Sequence, residues 1–225
     1  MARAAGTLQR VRQVVLFDFG GVVIRSPFEL AAGLERRHGL TPGSVLMRGP
    51  FDPDVDCEWQ RFMQGEISER DYWQHQADDL SAFLGDGDDS LRAMMDELFD
   101  LAESDIVRPE TELLVEDLVA AGHAVAALTN DMSRFHSEEW LERMTIIKRF
   151  DPLIDLSYTG VLKPSPDAYA HALAELGCGA DQVLFIDDQA VNVAGAEAAG
   201  IRSIWFDVTR PAVSVAFVRG ALATA

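Results

Sequence analysis

The sequence predicts an α/β protein with a doubly wound parallel sheet and an inserted α-helical segment. Short apolar runs lie near both ends of the chain, and segments with helical periodicity separate the later runs. A long stretch after the first run contains helical patterns only. Strands that alternate with helices at this spacing are typical of βαβ units, whose strands run parallel.

Four apolar runs predict buried strands, and a fifth apolar block lies among them. The four runs cover residues 13–17, 123–128, 182–186 and 201–206, and the fifth block covers residues 153–158. Continuous apolar runs of this length are typical of strands that are buried on both faces. We therefore expect their carboxyl ends to lie along one edge of a parallel sheet.

Three helices are predicted between the later strands. Each predicted helix ends at a glycine, the usual stop signal. These helices cover residues 111–121, 165–176 and 190–199.

The stretch from residue 26 to residue 106 predicts a helical insertion, because it holds helical patterns but no clear buried strand. Helices are expected over residues 28–38, 56–63, 67–83 and 91–101. The predicted α/β core domain therefore comprises residues 1–25 and 107–225, and the inserted domain comprises residues 26–106.

Composition limits the classes of function. The chain has 225 residues, 48% of them apolar, which is enough for a buried core. Its net charge of −18 repels phosphate backbones and anionic lipid, so we expect no nucleic-acid or membrane partner. An acidic protein that handles an anionic substrate needs a local cation.

The expected location is the cytoplasm. Residues 1–13 lack the apolar segment of a signal peptide, and no stretch reaches the roughly 18 apolar residues of a membrane span. Cys57 and Cys178 show no zinc-ligand spacing, and we expect them to be free thiols.

Polar residues that could do chemistry follow the predicted strands. Ligands of open parallel sheets bind at the carboxyl ends of strands. The residues found there are Asp18 with Gly20 and Gly21, Thr129 with Asn130, Lys163, and Asp187 with Asp188.

This set suits phosphoryl transfer. Clustered carboxylates are most simply held together by a hard cation such as Mg²⁺, which prefers oxygen ligands. A carboxylate near a metal-bound phosphate can attack it to form an aspartyl-phosphate. Thr129, Lys163 and the backbone N–H groups of the glycine-rich loop suit the developing charge on the phosphoryl oxygens.

Four segments resemble the four motifs of the haloacid dehalogenase (HAD) superfamily, in the right order. They are FDFGGVV at residues 17–23, LTN at 128–130, VLKPSPDAY at 161–169 and FIDDQAVNV at 185–193. The resemblance runs from about residue 13 to residue 206, and the helical insertion is similar to the C1-type cap of subfamily IA.

The resemblance implies a role for each matching residue. It implies that Asp18 is the nucleophile and that Lys163 orients it, while Thr129, with Asn130 and Gly21 in support, binds the phosphoryl group. The implied Mg²⁺ ligands are Asp18, Asp187, Asp188 and the carbonyl of Gly20. Asn192 is a candidate to support the loop around Asp188.

Gly20 departs from the pattern of the family, in which most phosphatases carry a second Asp as general acid at this position. This loss matters least for leaving groups that depart easily. The first motif and residues 62–68 are similar to a branch that includes sugar-1-phosphate phosphatases and the N-terminal domains of some epoxide hydrolases. The resemblance therefore implies an Mg²⁺-dependent phosphatase for a small phosphorylated metabolite, with a sugar phosphate as one candidate.

Two other functions stay open. Dehalogenases of the superfamily also lack the second Asp and need no metal. They would therefore not require the pair Asp187 and Asp188 as metal ligands, so this pair argues against a dehalogenase. A HAD-fold binding or regulatory protein with weak turnover is the other alternative, and Gly20 is its best support. Monomer and homodimer are both open.

Other side chains are expected to be structural. The five histidines are scattered and suggest no special role. The aromatic residues Phe51, Trp59, Phe62, Tyr72 and Trp73 are interpreted as the core of the helical insertion.

Overall fold

A computed structural model describes residues 13–84 and 90–223, which contain a five-stranded parallel sheet with helices around it. The strand order is β3-β2-β1-β4-β5, and all neighbouring strands are parallel. The predicted fold class is therefore confirmed. The strands are β1 (Val14–Phe17), β2 (Ala124–Thr129), β3 (Leu153–Asp155), β4 (Val183–Asp187) and β5 (Arg202–Trp205).

The register of the central strands brings the predicted polar residues to one edge. Phe17 in β1 pairs with Ala127 in β2 and with Ile186 in β4. Asp18 therefore lies level with the ends of both neighbouring strands, and β1 lies at the centre of the sheet.

The described part of the insertion contains helices and connecting loops, and none of the five strands. The chain leaves the sheet and returns to it at one place, where Ile24 and Val107 form an isolated antiparallel bridge. The backbone N–H of Arg25 donates to the Ile106 carbonyl at 2.9 Å. The helices are α1 (Pro27–Arg37), α2 (Cys57–Met63), α3 (Glu69–Leu84), α4 (Ser90–Leu98) and α5 (Glu103–Ile106).

One predicted helix of the insertion is shorter than expected. Helix α4 ends at Leu98, whereas the sequence predicted helix through residue 101. The chain turns after Leu98, and the side chains of Phe99 and Leu101 still pack into the core. The helix-like spacing of apolar residues therefore continues beyond the end of α4 into the turn that follows it.

The remaining helices cover the sheet and complete the core. Helix α6 ends at Gly122 (φ 83°) and α9 at Gly177 (φ 63°), as the stop signals predicted. Helices α7, α8 and α11 were not predicted. The bounds are α6 (Pro109–Ala121), α7 (Met132–Phe135), α8 (Glu138–Arg143), α9 (Pro166–Leu176), α10 (Ala190–Ala198) and α11 (Pro211–Ala223).

Each face of the sheet packs into a separate hydrophobic cluster. Leu16 points into the smaller cluster with α9 and α10, and Val15 and Phe17 point into the larger one. The larger cluster extends into the insertion through residues such as Leu34 and Met94. The insertion therefore shares its apolar packing with one face of the sheet, which fixes it next to the site described below.

Among the described residues, no helix combines the length and the apolar character needed to cross a bilayer. Both cysteines are free thiols, as predicted.

Candidate active site

Asp18 follows the central strand and is held by backbone contacts on both sides. Its N–H donates to the Ile186 carbonyl at 2.8 Å, and its Oδ1 accepts from the Phe19 N–H at 2.7 Å. The residue is only 8% exposed. Burial, partly offset by Lys163 and reinforced by Asp187, raises the pKa of Asp18 to about 7. A neighbouring cation would therefore favour the ionised form of this carboxylate.

Lys163 joins two of the predicted carboxylates. Its Nζ lies 2.9 Å from Asp18 Oδ1 and 2.7 Å from Asp187 Oδ2, and its side chain is almost fully buried. Burial by itself would lower the pKa of Lys163, but the two carboxylates raise it above its usual range. Lys163 therefore stays charged and fixes the orientation of Asp18.

Asn130 positions the backbone of Lys163. The Lys163 N–H donates to Asn130 Oδ1 at 2.8 Å, and Asn130 Nδ2 donates to the Lys163 carbonyl at 3.1 Å. The sequence predicts that Asn130 supports Thr129 in phosphate binding, and Asn130 does border the cavity described below. Its amide also holds the loop that presents the ammonium group.

The carboxylate of Asp187 is surrounded by protein donors. Besides Lys163, it accepts from the Gln189 N–H at 2.8 Å and from Asn192 Nδ2 at 3.1 and 3.2 Å. Asn192 therefore supports this loop, as the sequence suggested, and it does so through Asp187.

The three predicted metal-ligating carboxylates come together. One oxygen each from Asp18, Asp187 and Asp188 lies within 4.8 Å of the others. Burial, followed by the charges of Asp18 and Asp187, raises the pKa of Asp188. Three converging oxygen donors, two of them with raised pKa values, fit a hard divalent cation such as Mg²⁺.

Gly20 and Gly21 differ in their surroundings. A Cβ built at Gly20 has no atom within 4 Å, whereas one at Gly21 (φ 73°) would clash with Asp188 Oδ2. The Gly21 carbonyl accepts from Arg108 Nη2 at 2.8 Å. Gly21 is therefore required by the close approach of Asp188, a reason that the sequence did not reveal.

A cavity opens above these groups, and its wall contains aromatic residues of the insertion. Thr129 also borders it, at the end of β2. Four of the five aromatic residues belong to the core cluster or pack against it, as interpreted, and they also border the cavity. The fifth, Phe51, is 44% exposed. The four residues in the wall are Trp59, Phe62, Tyr72 and Trp73.

Several polar side chains at or next to this cavity were not predicted from the sequence. Arg70, next to Glu69, reaches from α3 to the buried Asp131, and its Nε lies 3.0 and 3.1 Å from the two carboxylate oxygens. Glu69, Asp131 and His136 border the cavity. Glu69 and Arg70 directly follow the stretch 62–68, the only signal that could have pointed to them.

A profile of known families matches most of the chain. Residues 13–200 match the family described as haloacid dehalogenase-like hydrolase. The chain belongs to this family. It is therefore an enzyme, and the motifs in the sequence identified its superfamily correctly.

Several curated proteins are similar to this hydrolase. Acyl-CoA dehydrogenase family member 10 of Mus musculus is 26% identical over 209 residues, covering 92% of this chain but only 19% of the mouse protein. A phosphoglycolate phosphatase of Pseudomonas putida is 28% identical over 203 residues, 88% of this chain and 70% of that protein. The (S)-2-haloacid dehalogenase 4A of Burkholderia cepacia is 23% identical over 194 residues, 84% and 77% of the two chains.

A solved structure shows the same fold. YfnB of Bacillus subtilis, described as a HAD-hydrolase bound to magnesium, superposes with a TM-score of 0.64 at 15% identity. The match covers 88% of each chain.

Proposed function

We propose that this hydrolase is an Mg²⁺-dependent phosphatase that cleaves a small phosphomonoester through an aspartyl-phosphate at Asp18. The observation that supports this most directly is the position of Lys163, which lies between Asp18 and Asp187 and borders the cavity. The phosphatase and the magnesium-bound structure among the similar proteins agree with this proposal.

The proposed Mg²⁺ ligands are Asp18, Asp187 and Asp188, whose carboxylate oxygens converge. The Gly20 carbonyl is the fourth proposed ligand. When bound, the cation would neutralise the carboxylates and draw electron density from the phosphoryl oxygens. Asp187 already accepts hydrogen bonds from Lys163 and Asn192. We therefore expect it to contribute less to metal affinity than Asp188.

The chemical step would begin at Asp18. Its carboxylate oxygen attacks phosphorus, while Lys163 keeps the carboxylate in place and stabilises charge on the transferring group. Thr129 lies at the end of β2 beside this point and would donate to a phosphoryl oxygen. The insertion covers the cavity and would exclude water from the first step.

The aromatic wall bears on the organic part of the substrate. Trp59, Phe62, Tyr72 and Trp73 offer ring faces, against which a flat or weakly polar group would stack. A sugar phosphate remains one candidate, together with esters of aryl or apolar alcohols. A panel of such esters would rank these classes.

Hydrolysis of 4-nitrophenyl phosphate tests the proposal. Turnover should require Mg²⁺, should stop with a chelator, and should be lost in Asp18→Asn. Asp79→Asn is the matched control, because Asp79 is an exposed carboxylate on α3. Turnover that is unchanged by the chelator, or retained in Asp18→Asn, would overturn it.

A 2-haloacid dehalogenase activity is the second candidate. It is favoured by Gly20, which provides no acid for a leaving group, and by the similar dehalogenase of Burkholderia cepacia. Asp188 speaks against it, because a reaction that needs no metal has no use for this added carboxylate. Chloride release from 2-chloropropionate in the presence of a chelator would decide for it.

A further inference from the structure

Glu69 brings a carboxyl group of the insertion to the proposed active site. It is the first residue of α3 and borders the same cavity as Asp18, Lys163 and Asp188. Trp73 Nε1, one turn further along the helix, donates to Glu69 Oε1 at 3.4 Å. Its position at the cavity is therefore supported from within α3.

The neighbouring residue fixes the start of α3 against the sheet. Arg70 makes its forked contact with Asp131, and its Nη2 also donates to the Ser157 carbonyl at 3.2 Å. Asp131 and Ser157 lie beyond the ends of β2 and β3. The carboxyl group of Glu69 is therefore held at the edge where the chemistry is expected.

The surroundings of Glu69 favour its protonated form. Among the residues that the structure describes, no basic side chain makes an ion pair with it. Burial raises the pKa of Glu69, and the carboxylates of Asp131 and Asp187 reinforce this shift, while Lys163 and the hydrogen bond from Trp73 oppose it. Asp18 and Asp188 also interact with its charge.

The loop after β1 has room for an acid but carries none. A Cβ at Gly20 would meet no atom within 4 Å, and Gly20 is not among the glycines with positive φ. Packing and backbone geometry therefore do not explain the missing side chain. An alkoxide leaving group would therefore need its proton from water or from another element of the protein.

We propose that Glu69 is the general acid of this enzyme and supplies the proton that position 20 cannot. The inference rests on the proposed phosphatase function. It makes the first residue of α3 part of the catalytic machinery, so the chemistry depends on the placement of the insertion.

The reaction has two steps, formation and hydrolysis of the aspartyl-phosphate. Asp18 attacks phosphorus, the bond from phosphorus to the ester oxygen breaks, and that oxygen takes the proton of Glu69 as the alcohol leaves. Water then attacks the phosphorus of the aspartyl-phosphate and gives a proton to the Glu69 carboxylate. The bond from Asp18 to phosphorus breaks, phosphate leaves, and both side chains regain their starting states.

The test compares two esters that share a nitrophenyl ring, 4-nitrophenyl phosphate and 2-(4-nitrophenyl)ethyl phosphate. Release of the alcohol in the first turnover is measured with Mg²⁺ for wild type, Glu69→Gln and Glu66→Gln. Glu66 is an exposed glutamate three residues away and serves as the matched control.

In Glu69→Gln the release of the alkyl alcohol should slow by about 10²–10⁴-fold, the usual contribution of a general acid, while nitrophenolate release changes by less than about threefold. Nitrophenolate needs no proton to depart, so its release also shows that the variant is folded. Gly20→Asp in the Glu69→Gln background should restore alkyl release at least about tenfold, because the new carboxyl group would stand in the open space of the loop.

Equal slowing of both esters in Glu69→Gln, or no slowing of either, would overturn the role of Glu69 while the phosphatase function stands. Absence of Mg²⁺-dependent turnover of 4-nitrophenyl phosphate in the wild type would instead overturn the phosphatase function and this inference with it.

Discussion

Arg70 at the start of α3 and Asp131 just beyond β2 form a forked ion pair, in which the Arg70 Nε lies 3.0 and 3.1 Å from the two carboxylate oxygens. The Asp131 side chain is only 5% exposed, whereas that of Arg70 is 34% exposed. The pair therefore ties the insertion to the carboxyl edge of the sheet, next to the proposed nucleophile. We therefore expect the position of the insertion to affect catalysis at Asp18.

Breaking this ion pair should weaken catalysis. Arg70→Met is expected to lower kcat/KM about tenfold, equivalent to about 1.4 kcal/mol, because the start of α3 loses its anchor. Arg70→Lys should restore only part of the activity, since an ammonium group cannot make the forked contact. Arg61→Met is the control, because Arg61 pairs with Glu58 at the exposed surface of the insertion. A normal kcat/KM in Arg70→Met would refute the link.

Substitution by alanine should destabilise the protein at Gly21 but not at Gly20. Gly21→Ala places a Cβ in a left-handed backbone conformation and against Asp188, and should destabilise the fold by about 1–3 kcal/mol. Gly20→Ala should change the free energy of unfolding by less than about 0.5 kcal/mol, because its Cβ meets nothing. Urea unfolding of both variants checks the contrast, and equal stabilities would contradict it.

Mg²⁺ should stabilise the protein through Asp188. A cation that binds only the folded state stabilises it by about 2.7 kcal/mol at a concentration 100 times its Kd. The melting temperature should therefore rise with Mg²⁺ in the wild type and in Asp79→Asn. It should rise much less in Asp188→Asn, which removes one of the converging oxygens. Isothermal titration calorimetry provides the affinities, and an unchanged affinity in Asp188→Asn would exclude Asp188 as a ligand.

His136 should make stability depend on pH. Its ring stacks on Trp140 with centroids 3.8 Å apart, and its buried Nδ1 has no hydrogen-bond partner. Burial, then the charges of Arg92 and Arg143, lowers the pKa of His136 to about 3. As pH falls below about 6.5, His136 becomes protonated in the unfolded state but stays neutral in the folded state. The free energy of unfolding therefore decreases between about pH 6.5 and 3.

Urea midpoints at pH 7.5 and 5.5 measure this effect. The loss of stability should be smaller in His136→Phe than in the wild type, by up to about 1.4 kcal/mol for each pH unit below 6.5. His171→Gln should behave as the wild type does, because His171 is exposed. An identical pH dependence in wild type and His136→Phe would show that His136 titrates normally.

The predicted site residues were identifiable because their positions follow from local pattern. Thr129 and Asp187 are the last residues of β2 and β4, Asp18 follows β1 directly, and Lys163 comes after β3. Parallel pairing brings the ends of these strands to one edge. The roles proposed for these residues remain predictions. The direction of the Asn130 side chain was not predictable, because its partner is a backbone segment 33 residues away.

The sequence by itself determined the fold class, the family and the polar residues at the carboxyl edge of the sheet. The periodicity of apolar residues and the ends of strands depend on residues close together in the sequence, so they can be recognised without knowledge of the tertiary packing. Only the tertiary structure decided that Glu69 and the aromatic residues of α2 and α3 border the same cavity as Asp18, and that Arg70 pairs with Asp131 beside it. Their placement depends on how the insertion packs on one face of the sheet, through contacts between residues far apart in sequence.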